Sequence, residues 1–270
     1  KNSYYLVFAG SQERHDWDYL TKLAPRDGSV NLQKITTQMG VLVLAGPKSR
    51  DVLQKLTDTN LSNDNFKWLT GKSINVGYAQ AEALRVNFVG ELGWELHHPI
   101  EMQNYIFDQL MNAGAEFDIK PFGIRAMDSM RLEKSYRLIP REMSIEYSAL
   151  ESGLDRFVKL DKDCDFVGKQ GLIDWQQRGF ENCFATLEVH GVMDADARGS
   201  EGLYKEGQLV GRATSGGFGF RVDKSLALGL VEIAYGAIGT ELEIEILGER
   251  YRATVIEESP FDGDNAALRS

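Results

Sequence analysis

The chain has 270 residues, 43% of them hydrophobic and 26% charged, which is the balance of an ordinary globular protein; at this length two packed units are expected rather than one. Its formal net charge of −10 disfavours partners held through clustered Lys and Arg, so no nucleic-acid partner is expected. No stretch approaches the roughly 18 uninterrupted apolar residues of a membrane span, and the two cysteines, Cys164 and Cys183, stand in no metal-ligand spacing, so the chain reads as soluble, with no membrane partner, metal site or disulfide scaffold expected.

Tyr4-Tyr5-Leu6-Val7-Phe8-Ala9-Gly10 is a run of aromatic and branched residues ending at glycine, the composition of a strand. A helix is expected over residues 13–23. A buried strand is expected within residues 40–47, a short apolar run bounded by glycine and proline. Pro47 then opens a helix whose Val52, Leu53 and Leu56 form one apolar stripe, ending at Asp58-Thr59-Asn60. Alternation over residues 80–88 predicts a half-buried strand whose even-numbered face, Glu82, Leu84, Val86 and Phe88, is the mostly apolar one.

Gly90-Glu91-Leu92-Gly93 makes a turn, Trp94-Glu95-Leu96-His97-His98 resumes as a strand, and residues 102–113 follow as a helix. The helix expected over residues 123–133 carries Ile124, Met127 and Met130 at three-residue steps, with Arg125, Asp128 and Arg131 on a neighbouring stripe. That stripe permits a local ion-pair ladder worth only tenths of a kcal/mol. A short helix follows over residues 167–175, and a soft boundary falls near Gly179. From Cys183 onward the pattern is short strands and frequent turns, a small all-β, barrel-like domain.

Glu95 is the carboxylate that most needs an explanation. On a strand directly after the glycine turn it points inward beside Phe88 and Trp94, and a buried carboxylate needs donors. It suits a flat heterocycle presenting adjacent N–H groups, with an aromatic wall for stacking and an arginine for anionic or carbonyl groups; the plainer alternative is a Glu95–Arg125 salt bridge. His97 and His98 are neighbours on a strand and point to opposite faces, which argues against a metal site. Ser215-Gly216-Gly217-Phe218-Gly219 lacks the lysine of a phosphate loop and reads as a tight turn.

Four segments carry a family resemblance: Gly40-Val41-Leu42-Val43-Leu44-Ala45-Gly46-Pro47, Phe88-Val89-Gly90-Glu91-Leu92-Gly93-Trp94-Glu95, Arg125-Ala126-Met127-Asp128-Ser129-Met130-Arg131-Leu132-Glu133-Lys134, and Thr214-Ser215-Gly216-Gly217. In that order and spacing they resemble the folate-binding aminomethyltransferase superfamily over essentially the whole chain. Within it they look most like the carboxy-terminal halves of dimethylglycine and sarcosine dehydrogenases or oxidases.

The resemblance implies an α+β architecture: an aminomethyltransferase folate-binding fold lacking its first strands over residues 1–178, then a β-barrel-like domain over residues 179–270. It implies tetrahydrofolate as the ligand, with Glu95 holding the pterin by paired hydrogen bonds, Phe88 in the place of a pocket tyrosine, and Arg125 as a further folate contact. It also implies FAD on a partner amine dehydrogenase or oxidase domain or subunit, consistent with the lack of a GxGxxG fingerprint here.

The implied function is capture of the carbon released by oxidative demethylation of an N-methyl amine as 5,10-methylenetetrahydrofolate, in bacterial cytoplasm or mitochondrial matrix. The family's essential aspartate is expected upstream of Lys1 and aligns with nothing in the chain, so the chain alone is expected to bind rather than catalyse. A stand-alone tetrahydrofolate-dependent demethylase and a noncatalytic folate-binding assembly module stay open as alternatives.

Overall fold

A computed structural model describes residues 2–192 and 194–270. After helix α1 (Glu13–Leu23), strands β1 (Met39–Ala45), β2 (Gly71–Val76), β3 (Ala79–Leu84) and β4 (Gly93–Pro99) form an antiparallel sheet in the order β1-β4-β3-β2. Helices α2 (Ser49–Gln54) and α3 (Gln103–Gly114) cover one face. Leu44, Leu53, Phe66, Trp94, Leu96, Ile106 and Leu110 make its core. Full burial of each large apolar side chain contributes about 1.5–3 kcal/mol, which fixes the sheet register.

Three sequence expectations are corrected in this half. Residues 4–8 form no strand: Tyr4, Leu6 and Val7 are largely exposed, because their backbone finds no partner strand among the described residues and strand propensity alone does not hold an isolated segment. Strand β1 forms as expected but is buried only in part, because it is a sheet edge with Val41 and Val43 exposed opposite its buried Leu44. In β3 the buried face is the odd-numbered one, Ala79, Ala81 and Ala83, while Gln80 and Glu82 are exposed. Ala83 sits directly opposite Leu96, so small side chains close the sheet onto the core, and the strand ends at Leu84 before Val86 and Phe88. Strand β2 has no counterpart among the expected elements, since only Ile74 and Val76 give it apolar bulk.

Helix α4 (Ile124–Leu132) leads through irregular chain to α5 (Lys169–Arg178). Strands β5 (Asn182–Val189), β6 (Gly202–Lys205), β7 (Gln208–Gly219), β8 (Lys224–Glu232), β9 (Glu241–Ile246) and β10 (Glu249–Ile256) then close a barrel in the order β10-β5-β8-β7-β6-β9. The short helix α6 (Ala266–Arg269) follows. Residues 215–219 are not a tight turn but the end of β7. A Cβ at Gly216 would meet the carbonyl oxygens of Ala197 at 2.8 Å and Leu226 at 2.9 Å, so glycine there serves close backbone approach.

The run Arg131-Leu132-Glu133-Lys134-Ser135-Tyr136-Arg137 fastens the sheet half to the barrel. The buried Glu133 carboxylate accepts from the Arg221 backbone N–H at 2.6 Å and pairs with the Arg221 guanidinium. Lys134 Nζ donates to the carbonyls of Phe261 and Asp262 at 3.0 and 2.6 Å, and burial pushes its ammonium pKa down. Arg137 forks onto Glu258 at 2.7 and 2.8 Å and lies 3.6 Å over the Phe184 ring. Below them the fully buried Glu142 accepts from Thr214 Oγ1 at 2.6 Å, from Ser215 Oγ and from the Leu138 N–H at 2.8 Å. Buried charges survive only when satisfied in this way.

Candidate functional site

The turn before β4 is built to place Glu95. Asn87 Oδ1 accepts the N–H groups of Val89 and Gly90 at 3.0 and 3.1 Å, while its amide donates to the Glu91 carbonyl at 2.6 Å. Gly90 has φ +76°, and a Cβ there would lie 2.5 Å from Lys134 Cγ, so both backbone and space call for glycine. Arg221, from the β7–β8 turn, clamps the same loop through Glu91 at 2.7 Å and the Val89 carbonyl at 3.0 Å, and stacks on Phe261 at 3.8 Å.

Directly beyond this turn a cavity of about 590 Å³ runs beside the edge strand β1. That volume is within the range of small-molecule sites. Its walls include Leu42, Val43, Leu110, Phe117 and Met127, and both Phe88 and Glu95 line it. Asp118 also lines it, but as an exposed group paired with Lys120 at 2.8 Å. Glu95 is different: its side chain is 26% exposed, set between Val43 of β1 and Leu84 of β3 in direct cross-strand register.

The Glu95 carboxylate meets His97 rather than Arg125. Oε2 lies 3.1 Å from His97 Nε2, and Oε1 has no protein hydrogen bond among the described residues. His97 Nδ1 in turn lies 3.0 Å from the Tyr5 hydroxyl, whose pKa is raised first by burial and then by the nearby Glu95 charge. Thus only one of the two carboxylate oxygens is held by the protein among the described residues. Phe88 stacks on Tyr136 with ring centroids 5.6 Å apart, which fixes the aromatic wall.

The sequence-derived candidates are therefore distributed unevenly. Phe88 and Glu95 share the cavity, whereas Arg125 is exposed on the first turn of α4, outside the lining, and the Glu95–Arg125 salt bridge weighed from sequence does not form. Of the expected ladder on α4, Asp128 and Arg131 do pair at 2.7 Å, but Arg131 is buried and also donates to the Tyr136 carbonyl at 3.0 Å. Sequence reasoning missed His97 as the partner of Glu95, although residues two apart on a strand share a face and the signal was present. It missed Arg221 because 130 residues separate it from Glu91 and no local pattern marks that contact.

A family profile described as the GCVT N-terminal domain matches residues 1–162, and one described as the glycine cleavage T-protein C-terminal barrel domain matches residues 183–262. The chain is 41% identical over 256 residues to the mitochondrial dimethylglycine dehydrogenase of Mus musculus, covering 94% of this chain and 29% of that protein. It is 32% identical over 274 residues to the mitochondrial sarcosine dehydrogenase of the same organism, covering 98% of this chain and 30% of that protein. The chain thus spans under a third of the length of these relatives. Its fold is similar to the crystal structure of glycine cleavage system aminomethyltransferase T from Bartonella henselae, with a TM-score of 0.78 at 24% identity over 93% of this chain and 66% of that one.

Proposed function

The chain belongs to the glycine-cleavage T-protein family, and on that premise we propose that its cavity binds the pterin of tetrahydrofolate and orients it for one-carbon transfer. The observation that carries this reading is the Glu95 carboxylate, half-buried in an apolar wall with Oε1 uncommitted. A desolvated carboxylate in that state favours a ligand that brings its own N–H donors, as the adjacent ring N–H and amino group of a pterin do. Phe88, braced by Tyr136, offers the heterocycle an apolar face.

When bound, tetrahydrofolate supplies the two amines that take up a carbon at the formaldehyde level as 5,10-methylenetetrahydrofolate. The residues of this chain supply binding, orientation and exclusion of water. We place Arg125 at the outer end of the ligand, where an exposed guanidinium meets carboxylates, and the domain boundary near Gly179, between α5 and β5. The carbon donor in this reading is an N-methyl amine of the dimethylglycine or sarcosine type. Its oxidation is assigned to an FAD-containing dehydrogenase or oxidase domain or subunit, and the compartment to mitochondrial matrix or bacterial cytoplasm. No residue of this chain is assigned to proton transfer.

The test is isothermal titration with 5-formyltetrahydrofolate of the wild type and Glu95→Ala. Hydrogen bonds to a charged group contribute about 1.5–3 kcal/mol each, so the variant should bind at least about tenfold more weakly. Equal affinity in the two proteins, or no binding by the folded wild type, would overturn the assignment.

A further inference from the structure

From the line of contacts behind Glu95, we propose that Tyr5 and His97 are positioning residues that hold the Glu95 carboxylate in one orientation for the N–H groups of its ligand; this rests on the folate reading given above.

The geometry fixes the roles. Glu95 and His97 stand two apart on β4 and share a face, with the His97 side chain only 1% exposed and Nε2 at 3.1 Å from Glu95 Oε2. A buried imidazole needs both nitrogens satisfied, and Nδ1 has its partner in the Tyr5 hydroxyl at 3.0 Å, the two rings meeting edge-on at 5.5 Å between centroids. A neutral imidazole carries one N–H. If the phenol donates to Nδ1, the imidazole proton is on Nε2 and is donated to Glu95. The carboxylate then accepts at Oε2, and Oε1 has no protein hydrogen bond among the described residues.

The reverse arrangement, with the proton on Nδ1, would put the Nε2 lone pair against the acceptor oxygen of Glu95. The other groups that face His97 are Val41 on β1, which is apolar, and Glu82 directly opposite on β3, which is exposed and occupied by Ser73 Oγ. Tyr5 is therefore the group that satisfies Nδ1, while the Glu95 carboxylate, an acceptor, favours the proton on Nε2. The residue choice explains a feature of the fold as well: the Tyr5 segment, though no strand, is fastened to the sheet at this hydroxyl.

The test has two readouts on the same chain. Long-range ¹H–¹⁵N correlation of histidine-labelled protein reads the His97 tautomer without any ligand; the Nε2–H form is expected in the wild type, and a loss of that single tautomer in Tyr5→Phe. Titration with 5-formyltetrahydrofolate reads the consequence: His97→Leu should weaken binding by about tenfold, the scale of one lost hydrogen bond to a charged group, with His97→Gln, which can still donate to Glu95, recovering most of it. Tyr5→Phe keeps the ring and the fold and should weaken binding by a smaller factor. An Nδ1–H tautomer, or equal affinity in His97→Leu and wild type, overturns the proposal. Absence of binding by the wild type overturns the ligand assignment instead, while the tautomer still decides the relay.

Discussion

Replacing Arg221 by methionine should be among the most damaging single changes outside the cavity. The guanidinium pairs with Glu133, which is 1% exposed, and with Glu91; it also donates to the carbonyls of Val89 and Met130 at 3.0 Å and stacks on Phe261. Methionine keeps the apolar stem but strands the Glu133 carboxylate with one remaining backbone donor. Breaking a buried ion pair by removing one partner costs about 3–5 kcal/mol, and because Arg221 itself is 21% exposed the lower end applies, about 3 kcal/mol. For a chain of this size that is a fall in Tm of roughly 6 °C. The assay is scanning calorimetry of wild type, Arg221→Met, Glu133→Gln and the double variant. The double variant should be less destabilised than the sum of the singles by at least about 1 kcal/mol, since neutralising Glu133 removes the stranded charge. A fall of under about 2 °C in Arg221→Met, or strict additivity, would show that Glu133 does not depend on the Arg221 guanidinium.

Gly90→Ala forces a side chain into φ +76° and against Lys134 Cγ at 2.5 Å, and should cost upwards of about 1 kcal/mol in a urea titration. Phe88→Ala removes the ring stacked on Tyr136 and should weaken 5-formyltetrahydrofolate binding about three- to tenfold by calorimetric titration, since such aromatic contacts contribute about 0.5–1.5 kcal/mol beyond area. The Tyr136 phenol has its pKa raised above the usual 10.0 by burial first. A raised folded-state pKa contributes stability that is fully present below the unfolded value and lost as pH climbs through the folded one. The phenolate absorbance lost in Tyr136→Phe should therefore appear above pH 10, and titration at or below 10 would contradict the burial.

The sequence made the barrel and the glycine turn legible because both are written in local pattern: alternating apolar residues in β9 and β10, and Gly90 and Gly93 around the turn. Strand β3 misled because its buried face is alanine, and apolar bulk at Leu84, Val86 and Phe88 outweighed it. Residues 4–8 misled because propensity describes a strand only where a partner exists. Of the cavity lining, Glu95 and Phe88 stand out in the sequence by type and position, whereas the Arg221 clamp joins residues 130 apart and is visible only once both halves are folded.

A crystal structure of the protein with 5-formyltetrahydrofolate decides whether Glu95 receives a pterin in the cavity beside β1. The ring N–H and amino group of the pterin are expected within about 3.0 Å of the Glu95 carboxylate, with Phe88 against the heterocycle. A pterin bound away from Glu95, or a filled cavity in which that carboxylate still has Oε1 free, would contradict this placement.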